Sequence, residues 1–119
     1  YHRQYYRLMT PRVTPQELLP FFVETMNDNV TAALEQLALL KNRPDDAAAL
    51  HEVHRRFHSM KTSAQLMELT DLADIARSEE DVFRDCIDRN MTPSLEALTA
   101  AVTALETFTS AFEHLEVSS

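Results

Sequence analysis

Apolar residues recur at intervals of three and four along almost the whole chain, and this spacing restricts its fold more than any other feature. Such intervals place successive side chains on one face of an α-helix. Four rows follow one another, and they begin at Leu19, Leu50, Leu72 and Leu95. No stretch carries a competing strand pattern. The sequence therefore predicts an all-α domain built from four amphipathic helices.

Residues that commonly cap or break helices separate the four rows. The first predicted helix starts at a capping box, Thr14-Pro15-Gln16-Glu17, and stops at Asn42-Arg43-Pro44. The second spans about 45–67, the third runs from the cap Thr70-Asp71 to about Asn90, and the fourth is capped by Thr92-Pro93. Four such helices with short connections close most economically as an up-down-up-down antiparallel bundle. We expect that bundle to occupy residues 14–119.

Residues 1–13 form a fifth apolar stretch ahead of the bundle, with three tyrosines, Leu8 and Met9. We predict a lead-in segment there. The sequence allows two placements for it: an extra helical segment packed on the bundle, or a connection from another domain.

The composition excludes several classes of function. The chain contains no glycine, whereas phosphate-binding loops, dinucleotide-binding loops and nucleophile elbows need glycine for positive φ angles or close backbone approach. Its formal net charge of −8 repels nucleic acid and anionic membranes. The single Cys86 cannot form an internal disulfide, and no apolar run reaches the roughly 18 residues that span a bilayer. We therefore expect a cytoplasmic monomer that contacts neither nucleic acid nor membrane.

Three of the five histidines lie on the predicted second helix. His58 follows the apolar position Phe57 by one residue, which places it about 100° around the helix and at the edge of the buried face. Lys61 and Thr62 lie on the next turn, three and four residues later. His58 is therefore predicted to be reachable from solvent with a cation beside it.

The second helix is locally basic in an acidic chain. Between residues 51 and 67 three cations accompany one carboxylate: Arg55, Arg56, Lys61 and Glu52. A neutral imidazole offers a ring nitrogen as a nucleophile, and a nearby ammonium stabilises the charge of an incoming phosphoryl group. These residues favour phosphoryl acceptance at His58.

The run from His58 to Ala64, His-Ser-Met-Lys-Thr-Ser-Ala, resembles the signature of the histidine-containing phosphotransfer (HPt) domain family. In that signature His is followed by a polar and an apolar residue, then Lys, usually Gly, and small residues. The resemblance covers about residues 15–116, and the chain is similar to the phosphotransfer domains of chemotaxis and hybrid histidine kinases. It implies that a third-helix glutamate hydrogen-bonds the reactive imidazole, and the ungapped position is Glu80.

Glu80 also stands out from the residue pattern itself, because it interrupts an apolar row where another apolar side chain would be expected. That row comprises Leu72, Ala76, Phe83 and Ile87. A carboxylate at this place could hold one ring nitrogen of His58 protonated and leave the other free. Glu79 is the neighbouring candidate if the register slips by one residue.

The resemblance implies a phosphoryl carrier without autonomous kinase activity. His58 would attack an aspartyl phosphate of a response-regulator receiver domain and then pass the group to an aspartate of a second receiver, with Lys61 as an electrostatic aid. The receiver would supply Mg²⁺, and the chain itself would need no cofactor or metal. A hybrid histidine kinase is the other implied partner, or the larger protein that contains this domain. The residues expected to contact the partner are His54, Arg55, Thr62 and Gln65.

Thr62 departs from the family, which usually has glycine one turn after the histidine. Its side chain adds bulk where a receiver would close over the ring. It could restrict partners, slow the transfer or be tolerated, and the sequence does not decide between these effects. The alternative function is a degenerate HPt-like docking module that binds a receiver or kinase without being phosphorylated.

Two other interpretations are disfavoured. His51, His54 and His58 share a helix face, but a metal centre in a bundle would need carboxylates on facing helices that the spacing does not supply. A kinase dimerisation domain usually has an acidic residue and a proline after its histidine and needs a glycine-rich ATP domain, and the sequence shows neither.

Four sulfur-containing residues are expected in the core: Met26, Met60, Met67 and Cys86.

Overall fold

In a computed structural model, which describes the backbone of residues 15–118 and the side chains of residues 17–114, the chain is helical. The described part contains four helices: α1 (Pro15–Asn42), α2 (Ala47–Leu66), α3 (Thr70–Asp88) and α4 (Leu95–Ser118). Each packs against two others, so that α2 and α4 both lie between α1 and α3. The predicted all-α, up-down-up-down four-helix bundle is confirmed. The Thr14 cap and the lead-in segment of residues 1–13 lie outside the described residues.

Two helix starts are fixed by side chains that cap the backbone. The Asp46 carboxylate accepts a hydrogen bond from the Ala49 amide at 3.0 Å, so α2 begins at Ala47. The Ser94 hydroxyl accepts one from the Ala97 amide at 3.0 Å. Because Ser94 takes the cap position, α4 begins at Leu95, two residues beyond the predicted Thr92-Pro93 cap.

The start of α3 also differs from the prediction. Thr70 is the first helical residue rather than the cap, and Leu69 holds the cap position with no side-chain hydrogen bond. The reason is the tight turn that precedes it: the Leu69 amide donates to the Ala64 carbonyl at 2.9 Å and the Glu68 amide to the Gln65 carbonyl at 3.0 Å. These two bonds form a Schellman motif that closes α2 and leads directly into α3.

A second Schellman motif closes α3. The Met91 amide donates to the Cys86 carbonyl at 2.9 Å, and the Asn90 amide donates to the Ile87 carbonyl at 3.2 Å. Such a motif needs one residue with positive φ, a position that usually holds glycine. In this chain Glu68 (φ 60°) and Asn90 (φ 54°) adopt that conformation instead. The motif ends α3 at Asp88, slightly before the predicted end near Asn90.

Aromatic rings dominate the core. Phe57 of α2 and Phe83 of α3 are fully buried and stack with ring centroids 6.1 Å apart. Phe22, Phe108 and Phe112 form a second cluster between α1 and α4, with centroids 5.8–5.9 Å apart. Two side chains with polar groups are buried among these apolar ones, Asn29 and Glu80.

The sulfur-containing residues take core or core-edge positions. Met26 and Met60 are fully buried, while Met67 and Cys86 are partly buried against the core. Burial, together with the charge of Asp85, raises the pKa of the Cys86 thiol. Cys86 is therefore protonated at neutral pH and is a poor nucleophile. None of the helices in the described part is both long and apolar enough to cross a membrane.

Candidate functional site

The face between α2 and α3 brings together the residues that the sequence singled out, His58, Lys61 and Glu80. Phe57 stacks on Phe83 inside the bundle, and the next residue, His58, emerges at the rim of this core. The His58 side chain is 55% exposed. Consecutive residues of a helix are rotated by about 100°, so Phe57 points into the core and His58 points to solvent.

Glu80 enters this rim from α3 and is fully buried. Three groups surround its carboxylate: His58 Nδ1 and Arg84 Nη2 donate hydrogen bonds to Oε2 at 2.7 and 2.9 Å, and Lys61 Nζ forms an ion pair with Oε1 at 2.7 Å. A buried carboxylate is costly unless it is paired and hydrogen-bonded. These three partners account for an acidic side chain in an apolar row.

The surroundings keep Glu80 ionised. Burial alone raises the pKa of this carboxyl group, but the hydrogen bonds and positive charges of Lys61 and His58 outweigh burial and hold the pKa below its usual 4.5. An ionised carboxylate oxygen can only accept hydrogen bonds. His58 Nδ1 must therefore carry the proton and donate it to Oε2, which leaves the lone pair on Nε2.

Glu79, the other candidate for this role, lies one position away on α3 and does not join the site. It is partly buried, and its Oε1 is a buried atom with no hydrogen-bond partner among the described residues. Burial raises the pKa of Glu79. The register expected from the ungapped resemblance, with Glu80 facing His58, is the one in the structure.

His54 lies one turn before His58 and also faces Glu80. Its Nε2 is 3.8 Å from Glu80 Oε2, which is too long for a hydrogen bond. Burial lowers the pKa of His54, and this outweighs the opposing charge of Glu80. The His54 side chain is 24% exposed, and its contact with a partner stays a prediction.

The other three residues expected at a partner surface are exposed on α2 around His58. Arg55 forms a two-armed hydrogen bond with Glu52 at 2.7 and 2.9 Å. The Thr62 hydroxyl donates to the His58 backbone carbonyl at 3.1 Å, so it turns back onto its own helix. Gln65 is exposed one turn further on.

The local excess of positive charge on α2 is largely paired. Arg55 and Arg56 both contact Glu52, and Lys61 contacts Glu80. Arg56 also donates to the buried Asn29 of α1 at 3.1 Å, which links the first two helices. The basic surface predicted from the sequence is therefore weaker than its count of charges indicates.

Sequence reasoning missed Arg84. Its guanidinium completes the ring of donors on Glu80 from one turn further along α3. A signal was available, since a glutamate followed four residues later by an arginine forms a favourable pair on a helix. Such pairs are common on exposed helix faces, and only the burial of Glu80 makes this one distinctive.

The structure does not assemble the three histidines of α2 into a metal centre. In the described part of the chain, no group of three or more His, Cys, Asp or Glu side chains is arranged to hold a metal ion. His54 and His58 are both directed at one carboxylate, and His51 is exposed. That the domain needs no metal or cofactor of its own stays a prediction.

Comparison with known proteins identifies the family. The Hpt domain model matches residues 17–112. The CheA phosphotransferase domain from Thermotoga maritima has a similar fold, with a TM-score of 0.82 and 17% sequence identity over 87% of this chain and 98% of that chain. No curated protein sequence matches the chain. Because the family model matches most of its length, the chain belongs to the Hpt domain family.

Proposed function

We propose that this domain relays a phosphoryl group between receiver-domain aspartates in a two-component phosphorelay, with His58 as the carrier. One observation supports this most directly: the exposed imidazole of His58 donates from Nδ1 to the buried, ionised Glu80 at 2.7 Å. This bond fixes the ring and leaves the Nε2 lone pair available. Members of the Hpt family are histidine phosphotransfer carriers, so the geometry and the family agree.

The reaction is a pair of in-line displacements. His58 Nε2 attacks the phosphorus of an aspartyl phosphate, so that an N–P bond forms while the P–O bond to the aspartate breaks and a carboxylate leaves. The proton on Nδ1 stays in place, and the positive charge that develops on the ring lies against Glu80. The second displacement reverses these events when another aspartate oxygen attacks the phosphorus. Magnesium would be supplied by the receiver.

Lys61 is the second group that we assign to the transfer. Its ammonium contacts Glu80 Oε1 at 2.7 Å, and its side chain is 19% exposed. It lies one turn after His58, on the same edge of α2. A cation at this place can stabilise the oxygens of the phosphoryl group as they approach the ring.

The domain acts as a carrier that depends on its partners. Phosphorylation of His58 therefore requires a phosphorylated receiver or the kinase core of a hybrid histidine kinase. The exposed side chains of Arg55, Thr62 and Gln65 surround His58 and form the proposed docking contacts.

The test is transfer from a panel of phosphorylated receiver domains to this protein. We expect label that is stable in base and labile in acid, and that is lost in His58→Gln. The matched control is His51→Gln, because His51 is an exposed histidine two turns earlier on the same helix. Equal labelling of His58→Gln and the wild-type protein would exclude His58 as the carrier.

One feature favours a second candidate, a docking module that is not phosphorylated. Thr62 is exposed one turn after His58, where the family usually has glycine. Its side chain stands beside the path of an incoming receiver. Binding of receivers without transfer to His58 would support this second function.

A further inference from the structure

We propose that Arg84 is a positioning residue that remains paired with Glu80 throughout the transfer. When Lys61 turns from Glu80 to the phosphoryl group, Arg84 keeps Glu80 Oε2 hydrogen-bonded to His58 Nδ1. This inference rests on the proposed function, because it concerns the geometry of His58 during transfer. It assigns a task to a residue that does not touch the reacting atoms.

The argument begins with the two oxygens of Glu80. Lys61 contacts Oε1 at 2.7 Å, while His58 and Arg84 share Oε2 at 2.7 and 2.9 Å. A carboxylate oxygen has two lone pairs, so Oε2 can accept both bonds at once. Arg84 therefore holds Oε2 without displacing His58.

Lys61 cannot serve Glu80 and a phosphoryl group equally well. As its ammonium moves to the new negative charge, its contact with Glu80 Oε1 weakens. Glu80 is fully buried, and a buried carboxylate that loses its cation tends to take up a proton. A protonated Glu80 would no longer anchor Nδ1–H of His58 as a charged acceptor.

Arg84 is the group that remains. Its pairing with Glu80 is set by the four-residue spacing on α3 and does not depend on α2. A guanidinium is also the side-chain cation best suited to pair with a buried carboxylate. Its side chain is 49% exposed, so it can be replaced without opening a cavity in the core.

The other charged or titratable groups near this cluster cannot take over the task. His54 Nε2 is 3.8 Å from Glu80 Oε2, but burial lowers the pKa of His54 and favours its neutral form. Asp81 lies on the far side of Arg84, 4.0 Å from Nη1, and carries the wrong sign. Glu79 is also acidic. Among the described residues, the lysine and arginine side chains that pair with Glu80 are Lys61 and Arg84, so Arg84 is the one that stays when Lys61 turns away.

The experiment compares Arg84→Gln, Arg84→Lys and a control, Arg89→Gln. Arg89 pairs with Asp85 at 3.0 Å on the same helix with the same four-residue spacing, and both partners are exposed. The maximal rate of transfer from a phosphorylated receiver and the receiver concentration at half that rate are measured from pH 5.5 to 8. Melting curves verify that each variant folds.

For Arg84→Gln we expect the maximal rate to fall about tenfold at neutral pH, the loss expected for one charge-assisted contact. The half-saturating receiver concentration should change less than about twofold. The rate loss should grow as pH falls, because a buried carboxylate that has lost a contacting cation takes up a proton more readily. Arg84→Lys should restore most of the rate, and Arg89→Gln should match the wild type throughout.

A second readout is independent of transfer. In protein with ¹⁵N-labelled histidine, the His58 ring should show the Nδ1–H tautomer in the wild type and a smaller fraction of it in Arg84→Gln at pH 6. If Arg84→Gln matches Arg89→Gln in rate and ring signals, the inference is overturned. If no protein, wild type included, accepts phosphate, the proposed function fails, and the ring signals alone decide whether Arg84 positions His58.

Discussion

His58 Nδ1 lies 2.7 Å from Glu80 Oε2, although the two residues belong to different helices and only the imidazole is exposed. This contact joins an exposed side chain to a charge inside the bundle. It sets the tautomer of the ring before any partner arrives, because an ionised oxygen accepts but cannot donate. The orientation of this ring is thus a property of the domain itself.

Replacement of Glu80 by glutamine should slow phosphoryl acceptance by a factor between about ten and a hundred. The amide keeps the size of the side chain but loses its charge, so it no longer stabilises the ring as positive charge develops. The rate of label transfer from a phosphorylated receiver measures this. Glu79→Gln is the control one residue away, and an equal effect of both changes would contradict a specific role for Glu80.

Acid should destabilise the domain in part through Glu80. Its pKa in the folded state is below the usual 4.5, so its ionised form stabilises the fold above that pH, and the contribution is lost as pH falls through the lower folded value. The free energy of unfolding should therefore decline below about pH 4.5. In Glu80→Gln this part of the decline should be absent. Urea titrations of both proteins between pH 3 and 7 would show the difference.

Glu79 should behave in the opposite way. Burial raises its pKa in the folded state, so its contribution to stability is present at low pH and is lost as pH rises through the folded value. Glu79→Gln should consequently be more stable than the wild type at pH 7, and this advantage should shrink toward pH 4. A melting temperature at pH 7 that is lower in Glu79→Gln would show that the carboxylate has a partner in solution.

Thr62→Ala should raise the rate of transfer severalfold if the threonine side chain limits approach to His58. Alanine is also the better helix former by roughly half a kcal/mol, so the fold should be retained. Thr62→Ser keeps the hydroxyl that donates to the His58 carbonyl and loses only the methyl group. If neither Thr62→Ala nor Thr62→Ser changes the rate of transfer, the Thr62 side chain does not limit approach to His58.

Glu68→Gly should stabilise the protein by about 0.5–1 kcal/mol. Glu68 holds a left-handed conformation with φ 60° in the Schellman motif that ends α2, and a side chain with a β-carbon is strained there. Asn90→Gly should gain less, because asparagine tolerates this conformation better than most residues. Since the chain has no Trp, unfolding in urea is best followed by circular dichroism.

The sequence was sufficient to predict the four helices and the bundle, because periodic apolar rows and capping residues act locally. It was also sufficient to single out Glu80, since a carboxylate is unexpected at a helix position where the pattern predicts an apolar side chain. It could not show that Lys61 contacts Glu80 at 2.7 Å. That contact depends on how α2 and α3 are rotated about their axes, which no single helix encodes.

Arg84 and the α4 cap show why other details were missed. The pairing of Glu80 with Arg84 resembles many exposed helix pairs until the burial of Glu80 is known. At the start of α4, Thr92 and Ser94 both carry a hydroxyl that can cap a helix. Which of these hydroxyls caps α4 depends on the residue at which the preceding turn ends. In the structure, the Ser94 hydroxyl accepts the hydrogen bond from the Ala97 amide.

The stacked rings of Phe57 and Phe83 lie next to the site in sequence as well as in space, one residue from His58 and three from Glu80. They join α2 to α3 with side chains that are fully buried. The distance between His58 and Glu80 is therefore set by packing inside the bundle. If His58 carries the phosphoryl group as we propose, receivers of different shapes would meet the same ring, and the exposed residues around it would discriminate among them.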